Sequence, residues 1–244
     1  MKRILYIFLL CLFAGCNKEN AWDLFKTRGE RKEIFIDLPP FHGIKIYNDV
    51  EVILQQDTCN KAHLIGWSNL LPKVSMTVNA DGELSIEDRN KHDFVRSYGN
   101  KTTIYLSFKE PLESLFFYGN RSLTNIDTLS FSHLLIIGEK AGGNIHLTLR
   151  TNWLSVGVSG NVGATICGET FGFSLTYWGK VPMDFSKLIT NNTYIDHHGS
   201  NDITVNVQNL LSAAMFDYGN VYYKGNPPEV SVTRKGKGNV YHIP

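Results

Sequence analysis

The chain is poor in the features that mark a disulfide-built or charge-driven protein. Only four cysteines occur in 244 residues, too few and too scattered for a disulfide framework. Neither sign of charge is in excess: 24 Lys plus Arg stand against 23 Asp plus Glu, so no net field selects nucleic acid or an acidic polymer. No apolar run reaches the roughly 17–25 residues that a membrane-spanning helix needs. Low-complexity tracts and acidic or basic blocks are missing too. So are the spacings of a zinc protease, a calcium loop, a nucleophile elbow and a phosphate-binding loop, and no cofactor is implied.

Glycine, by contrast, returns on schedule. Gly119, Gly138, Gly160, Gly179, Gly199, Gly219 and Gly238 lie 19, 22, 19, 20, 20 and 19 residues apart. Short apolar or aromatic stretches precede most of them, such as Leu115–Tyr118, Leu134–Ile137, Phe173–Trp178 and Met215–Tyr218. A period near twenty that holds strands and no helical pattern predicts an all-β solenoid, one coil per repeat. A β-sandwich also has short strands and glycine turns, but it has less reason to keep one spacing over six coils. Counting back four residues from the glycines gives Leu115, Leu134, Val156, Leu175, Ile195 and Met215, a column expected to face the core. Two residues back stand Phe117, Ile136, Val158, Tyr177, His197 and Asp217, which turn polar toward the C-terminus. The glycines are expected to supply φ > 0 at sharp turns, and the asparagines beside them to build an amide ladder along the axis.

The N-terminus reads as an address. Lys2 and Arg3 precede an apolar run from Ile4 to Phe13, too short to span a bilayer but fitting a signal peptide. Leu12-Phe13-Ala14-Gly15-Cys16 followed by polar Asn17 resembles the lipoprotein signal of bacteria, in which the cysteine carries lipid. Residues 1–16 are thus expected to be signal and lipidated Cys16, 17–33 a tether, and 34–244 one β-helix domain. The tether holds Ala21–Phe25, a candidate helical turn. Acyl chains contribute about 0.8 kcal/mol per buried CH₂ and would hold the domain on a membrane. The outer membrane is the expected location, with either the periplasmic or the surface face open. Cys59 and Cys167 remain and are expected to be buried free thiols, unless the fold brings their Cα atoms within about 7 Å.

From Ile34 the chain alternates short strands with turns, including Asn48-Asp49 and Asp81-Gly82, and residues 87–100 form a polar stretch expected to protrude. Phe41-x-x-Ile44-x-Ile46-Tyr47-Asn48-Asp49-Val50-Glu51-Val52, then Gly66–Pro72 and Asp81–Ile86, resemble the putative auto-transporter adhesin, head GIN domain family of Bacteroidota. The similarity runs over about residues 34–243. It implies a right-handed parallel β-helix and an exported location, and it brings no functional residues to carry over.

Candidate sites are few. Asp196-His197-His198 is the densest metal-like cluster, but neighbours on a strand point to opposite faces and a structural role is the simpler reading. Asp184, Asp196, Asp202 and Asp217 give no recurring carboxylate pair at the roughly 5–9 Å that glycoside chemistry needs, so an enzyme is not expected. Immediately before the glycines stand Tyr118, Ile137, Ser159, Trp178, His198 and Tyr218, the column that alternation turns outward. Trp178, His198 and Tyr218 are expected to align as an exposed stripe, with Tyr118 farther along and Asn201 and Asn220 beside it. Such a stripe suits a glycan, an envelope protein as partner, or merely stacking between coils.

Overall fold

A computed structural model describes residues 29–90 and 102–244. Cys16, the signal segment, the Ala21–Phe25 turn and most of the expected polar protrusion lie outside the described residues. Those described form seventeen strands in a single hydrogen-bonded sheet, wound into coils. The only helical turn among them is a 3₁₀ turn at Leu71–Lys73. The protein is an all-β parallel β-helix.

The strands are β1 Arg31–Asp37, β2 Gly43–Asn48, β3 Val50–Gln56, β4 Lys61–Trp67, β5 Val74–Val78, β6 Glu83–Asp88 and β7 Thr102–Phe108. They continue as β8 Ser114–Gly119, β9 Ser122–Asn125, β10 Leu129–Gly138, β11 Asn144–Gly160, β12 Gly163–Gly179, β13 Met183–His197 and β14 Ile203–Met215. The last three are β15 Val221–Lys224, β16 Glu229–Arg234 and β17 Val240–His242. β1 thus begins within the residues expected as tether.

Coils do not stack in chain order throughout. β2 lies between β6 and β8, and β3 between β7 and β9, all parallel. The coil made by β6 and β7 therefore sits on one side of β2–β3, and that of β8 and β9 on the other. Antiparallel strands then close the end beyond β6 and β7: β5 on β6, β4 on β7 and β1 on β4. Gly82, with φ +71, turns the β5–β6 hairpin, where the Asn79 side chain accepts the Asp81 and Glu83 amides at 3.0 and 2.9 Å. β10 follows two sides of a coil, and each of β11–β14 follows all three. In β11 the in–out alternation breaks at Asn152-Trp153, where both side chains turn outward.

Three walls result. The first contains β6, β2 and β8, the C-terminal parts of β10–β14, and most of β16. The second contains β7, β3 and β9, the N-terminal parts of β11–β14, then β15 and β17. The third is made of the beginning of β10 and the middle of β11–β14.

The registers correct the glycine count. Leu115, Ile136, Val156, Leu175, Ile195 and Ala213 form the inward column of the first wall, in place of the expected Leu134 and Met215. Gly138 lies opposite Val158 rather than Gly160, and Met215 lies opposite His197. Each is a slip of two residues. Because side chains alternate with a period of two, such a slip keeps every residue on its face. Leu134 and Met215 are accordingly still buried, one position along.

The glycines also serve a different purpose from the one expected. Among the seven, only Gly160 has positive φ, +77. Gly179 and Gly199 instead leave room for the Tyr177 ring, which a Cβ at either position would strike, and Gly219 leaves room for the His197 ring. A large ring pointing inward next to a turn requires a neighbour without a side chain. The asparagines tie coils mainly through backbone: Asn120 Oδ1 accepts the Gly142 amide at 3.2 Å, and Asn220 Oδ1 the Asn239 amide at 3.0 Å. Cys59 and Cys167 are free thiols. Neither is buried as expected: Cys59 is exposed because it falls in the turn between β3 and β4, and Cys167 is half-buried.

Candidate functional site

The outward column of the first wall runs Tyr118, Glu139, Ser159, Trp178, His198, Phe216 and Lys235, following the registers of the inward residues beside them. Trp178 stacks on His198 with ring centroids 3.8 Å apart and planes within 5°. His198 stacks on Phe216 at 4.1 Å and 4°. The Lys235 ammonium lies 5.0 Å from the Phe216 centroid and ends the ladder as a cation over a ring. Trp178 is 57% exposed, so the ladder stands at the surface.

Two predicted members lie apart from it. Tyr218 falls two residues beyond Phe216, on the turn, with Lys237 5.2 Å from its ring. This follows from the slip at Met215, which brings Phe216 to the rung where the glycine count put Tyr218. Tyr118 is three rungs away and stacks on Tyr47 at 5.0 Å instead. Burial and the nearby Glu139 and Tyr47 push its pKa up. Glu139 and Ser159 occupy the rungs between, so the Trp178 face turned toward Ser159 has no ring on it.

The polar partners expected near the stripe are already engaged. Asn201 Nδ2 donates to the Lys180 carbonyl at 2.6 Å. Asn220 Nδ2 donates to Asp202 Oδ1 at 3.1 Å, and its own amide N–H reaches the same oxygen at 2.9 Å. These amides hold the turns together.

His197 points inward and is fully buried. Its Nδ1 accepts the Gly199 amide at 3.2 Å, which leaves the proton on Nε2 to be donated to the Asn201 carbonyl at 3.0 Å. Burial depresses its pKa from the ordinary 6.5, consistent with a neutral ring satisfied at both nitrogens. It meets the Tyr177 ring edge-on at 5.1 Å. Burial pushes the Tyr177 phenol up to about 12, and its hydroxyl donates to the Val181 carbonyl at 2.6 Å. His197 and His198 thus serve opposite faces. Among the described residues no group of three or more His, Cys, Asp or Glu is placed to hold a metal.

A second set of outward residues, on the third wall, went unnoticed in the sequence. Phe171 and Ile189 are exposed there beside Asn152 and Asn191. The signal was present, since Asn152, Phe171 and Asn191 follow one another at 19 and 20 residues. It was hidden because no glycine recurs from coil to coil on that wall: Gly172 lies opposite Trp153 and Asn192.

Three comparisons bear on this architecture. The family model described as "Putative auto-transporter adhesin, head GIN domain" matches residues 40–227. Among solved structures, a putative adhesin from Bacteroides fragilis is similar at 22% identity and a TM-score of 0.80, covering 88% of this chain and 97% of its own. A putative adhesin from Parabacteroides distasonis has 18% identity, a TM-score of 0.67 and coverage of 88% and 98%. A putative lipid binding protein from the same species has 16% identity, again with a TM-score of 0.67 and coverage of 88% and 98%. At these identities the likeness is one of fold. No curated protein matches. The chain belongs to the head GIN domain family.

Proposed function

We propose that this head GIN domain chain is a non-enzymatic adhesion module of the bacterial cell envelope, held at the outer membrane by lipid on Cys16. The ladder Trp178–His198–Phe216 is its contact surface. The observation that carries this reading is the ladder itself: three parallel rings stacked at 3.8 and 4.1 Å on the outer face of a rigid wall, with Trp178 exposed, His198 and Phe216 half-buried, and none of them serving the core. The adhesin descriptions of the family and of the similar structures support it.

The stacking direction decides between partners. Rings stacked on one another along the coil axis present their edges outward, while a sugar needs a ring face. An envelope protein whose side chains meet the ring edges therefore suits most of the ladder better than a glycan does. A glycan is the second reading, favoured by the single Trp178 face left open toward Ser159.

Cells displaying the chain test the contact. Trp178→Ala is expected to lower adherence at least tenfold while circular dichroism and the melting curve of the purified chain stay unchanged. Unaltered adherence would remove the ladder from the function. In the same cells Cys16→Ser is expected to move the chain from the membrane fraction to the soluble one, and a variant that stays membrane-bound overturns the lipid anchor.

A further inference from the structure

The third wall carries a surface that the ladder does not use. Its outward side chains form two columns, one alternation apart. Ser132, Asn152, Phe171 and Asn191 follow one another across four coils, flanked by the aligned pairs Phe131–Thr151, Thr151–Thr170 and Thr170–Thr190. Ser130, Arg150, Glu169 and Ile189 form the other column. A groove of about 430 Å³ lies between them, lined by Arg150, Asn152, Glu169, Phe171, Ile189 and Asn191 among others. It adjoins a second groove of about 790 Å³, lined by Ser130, Ser132 and His133, and Arg150 and Asn152 border both.

The chemistry of this trough is specific. Phe171 is 61% exposed and, among the described residues, stacks on no other ring. The carboxamides of Asn152 and Asn191 make no hydrogen bond there either, in contrast to Asn201 and Asn220, which are bound to their turns. Arg150 and Glu169 neutralise each other through a 2.5 Å contact. The surface therefore offers one exposed phenyl ring between two free amides, beside a mutually neutralised ion pair. A polyanion would meet the Glu169 carboxylate, and an acyl chain would leave both amides without partners. A neutral pyranose fits, because its C–H face covers an aromatic ring while its hydroxyls bond to side-chain amides. Coils spaced about 4.8 Å apart place Asn152 and Asn191 about 10 Å apart with Phe171 midway.

We infer that the third wall binds a neutral glycan chain lying along the coil axis, with one sugar on Phe171 and its hydroxyls on Asn152 and Asn191. This rests on reading the chain as a binding module, but not on the ladder of the first wall.

Affinity electrophoresis of the full chain tests it, in gels containing hydroxyethylcellulose, laminarin, yeast mannan or arabinogalactan, with dextran sulfate as the charged comparison. At least one neutral polymer is expected to retard the chain. Phe171→Ala is expected to weaken that retardation tenfold or more, and Thr176→Ala, an exposed position on the first wall, to leave it intact. If Phe171→Ala does not fold, the surface pair Asn152→Ala with Asn191→Ala decides, with the same loss expected. Retardation by no neutral polymer, or by dextran sulfate alone, overturns the inference. So does wild-type retardation of the folded Phe171→Ala chain or of the asparagine pair, and so does a loss of retardation in Thr176→Ala. Adherence lost in Trp178→Ala is read on cells and belongs to the ladder alone, so the two proposals fail separately.

Discussion

Gly168→Ala is expected to destabilise the protein by more than about 3 kcal/mol, far beyond what one methyl group ordinarily costs on a surface. Gly168 lies in β12 where the chain passes from the second wall to the third, and the β12–β13 register shifts by one residue between Thr165 and Gly168. Its φ is +110, and a Cβ there would collide with the Leu149 carbonyl oxygen on the preceding coil. Two costs combine. A side chain in such backbone geometry costs about 1–3 kcal/mol. The collision is with backbone fixed by the β11–β12 ladder, so it is relieved only by parting the coils locally. Gly160→Ala separates the two contributions: its φ is +77, but nothing lies within 4 Å of a Cβ there. That variant is expected to lose only about 1–2 kcal/mol, the cost of conformation alone. Urea unfolding of both variants is the measurement. Equal losses would show that packing against Leu149 adds nothing.

The fold was legible in the sequence to the extent that parity governs it. Leu134 and Met215 were assigned to the wrong position of the inward column and to the right face, because a slip of two residues leaves the pointing direction unchanged. The same slip has consequences outside, where identity matters rather than parity. It replaced Tyr218 by Phe216 in the ladder, and no count from glycines reveals it, since the coil between His197 and Met215 is 18 residues rather than 20. The shift arises in the bulges between Asp184 and Ile189 and between Thr190 and Asn192. Bulges leave little mark on an apolar pattern, so their position is a property of the assembled sheet. The antiparallel strands at the N-terminal end were hidden for a related reason: β4 and β5 have the same alternation as parallel strands, and direction is set by their neighbours. Trp178 and His198 were legible because Gly179 and Gly199 do stay aligned through the shared Tyr177 ring. Phe171 had the right spacing, but a single exposed ring becomes a candidate site only when the free amides and the trough beside it are seen.

Leu175→Ala is expected to cost about 2–5 kcal/mol, the range for removing a large aliphatic side chain from a closed core. Leu175 is 1% exposed and lies in register with Val156 on one side and Ile195 on the other. A solenoid has only nearest-neighbour interfaces, so the truncation weakens two of them at once, and no third layer can move in to fill the space. The neighbouring rungs are pinned as well. Ala164 and Thr165 sit opposite Met183 and Asp184 on the second wall, while Thr170 Oγ1 accepts from Thr151 Oγ1 at 2.8 Å and donates to the Gly172 carbonyl at 2.9 Å on the third. A cavity in such a frame stays open, and an open cavity puts the cost in the upper part of the range. Thr176→Ala is the control, because the next residue on the same strand points outward and its truncation is expected to change stability by no more than about 0.5 kcal/mol. Urea midpoints of the two variants, read by circular dichroism, check the difference. A Leu175→Ala loss as small as that of Thr176→Ala would mean that the coils collapse onto the vacated space, and that the inward column is not packed as a rigid stack.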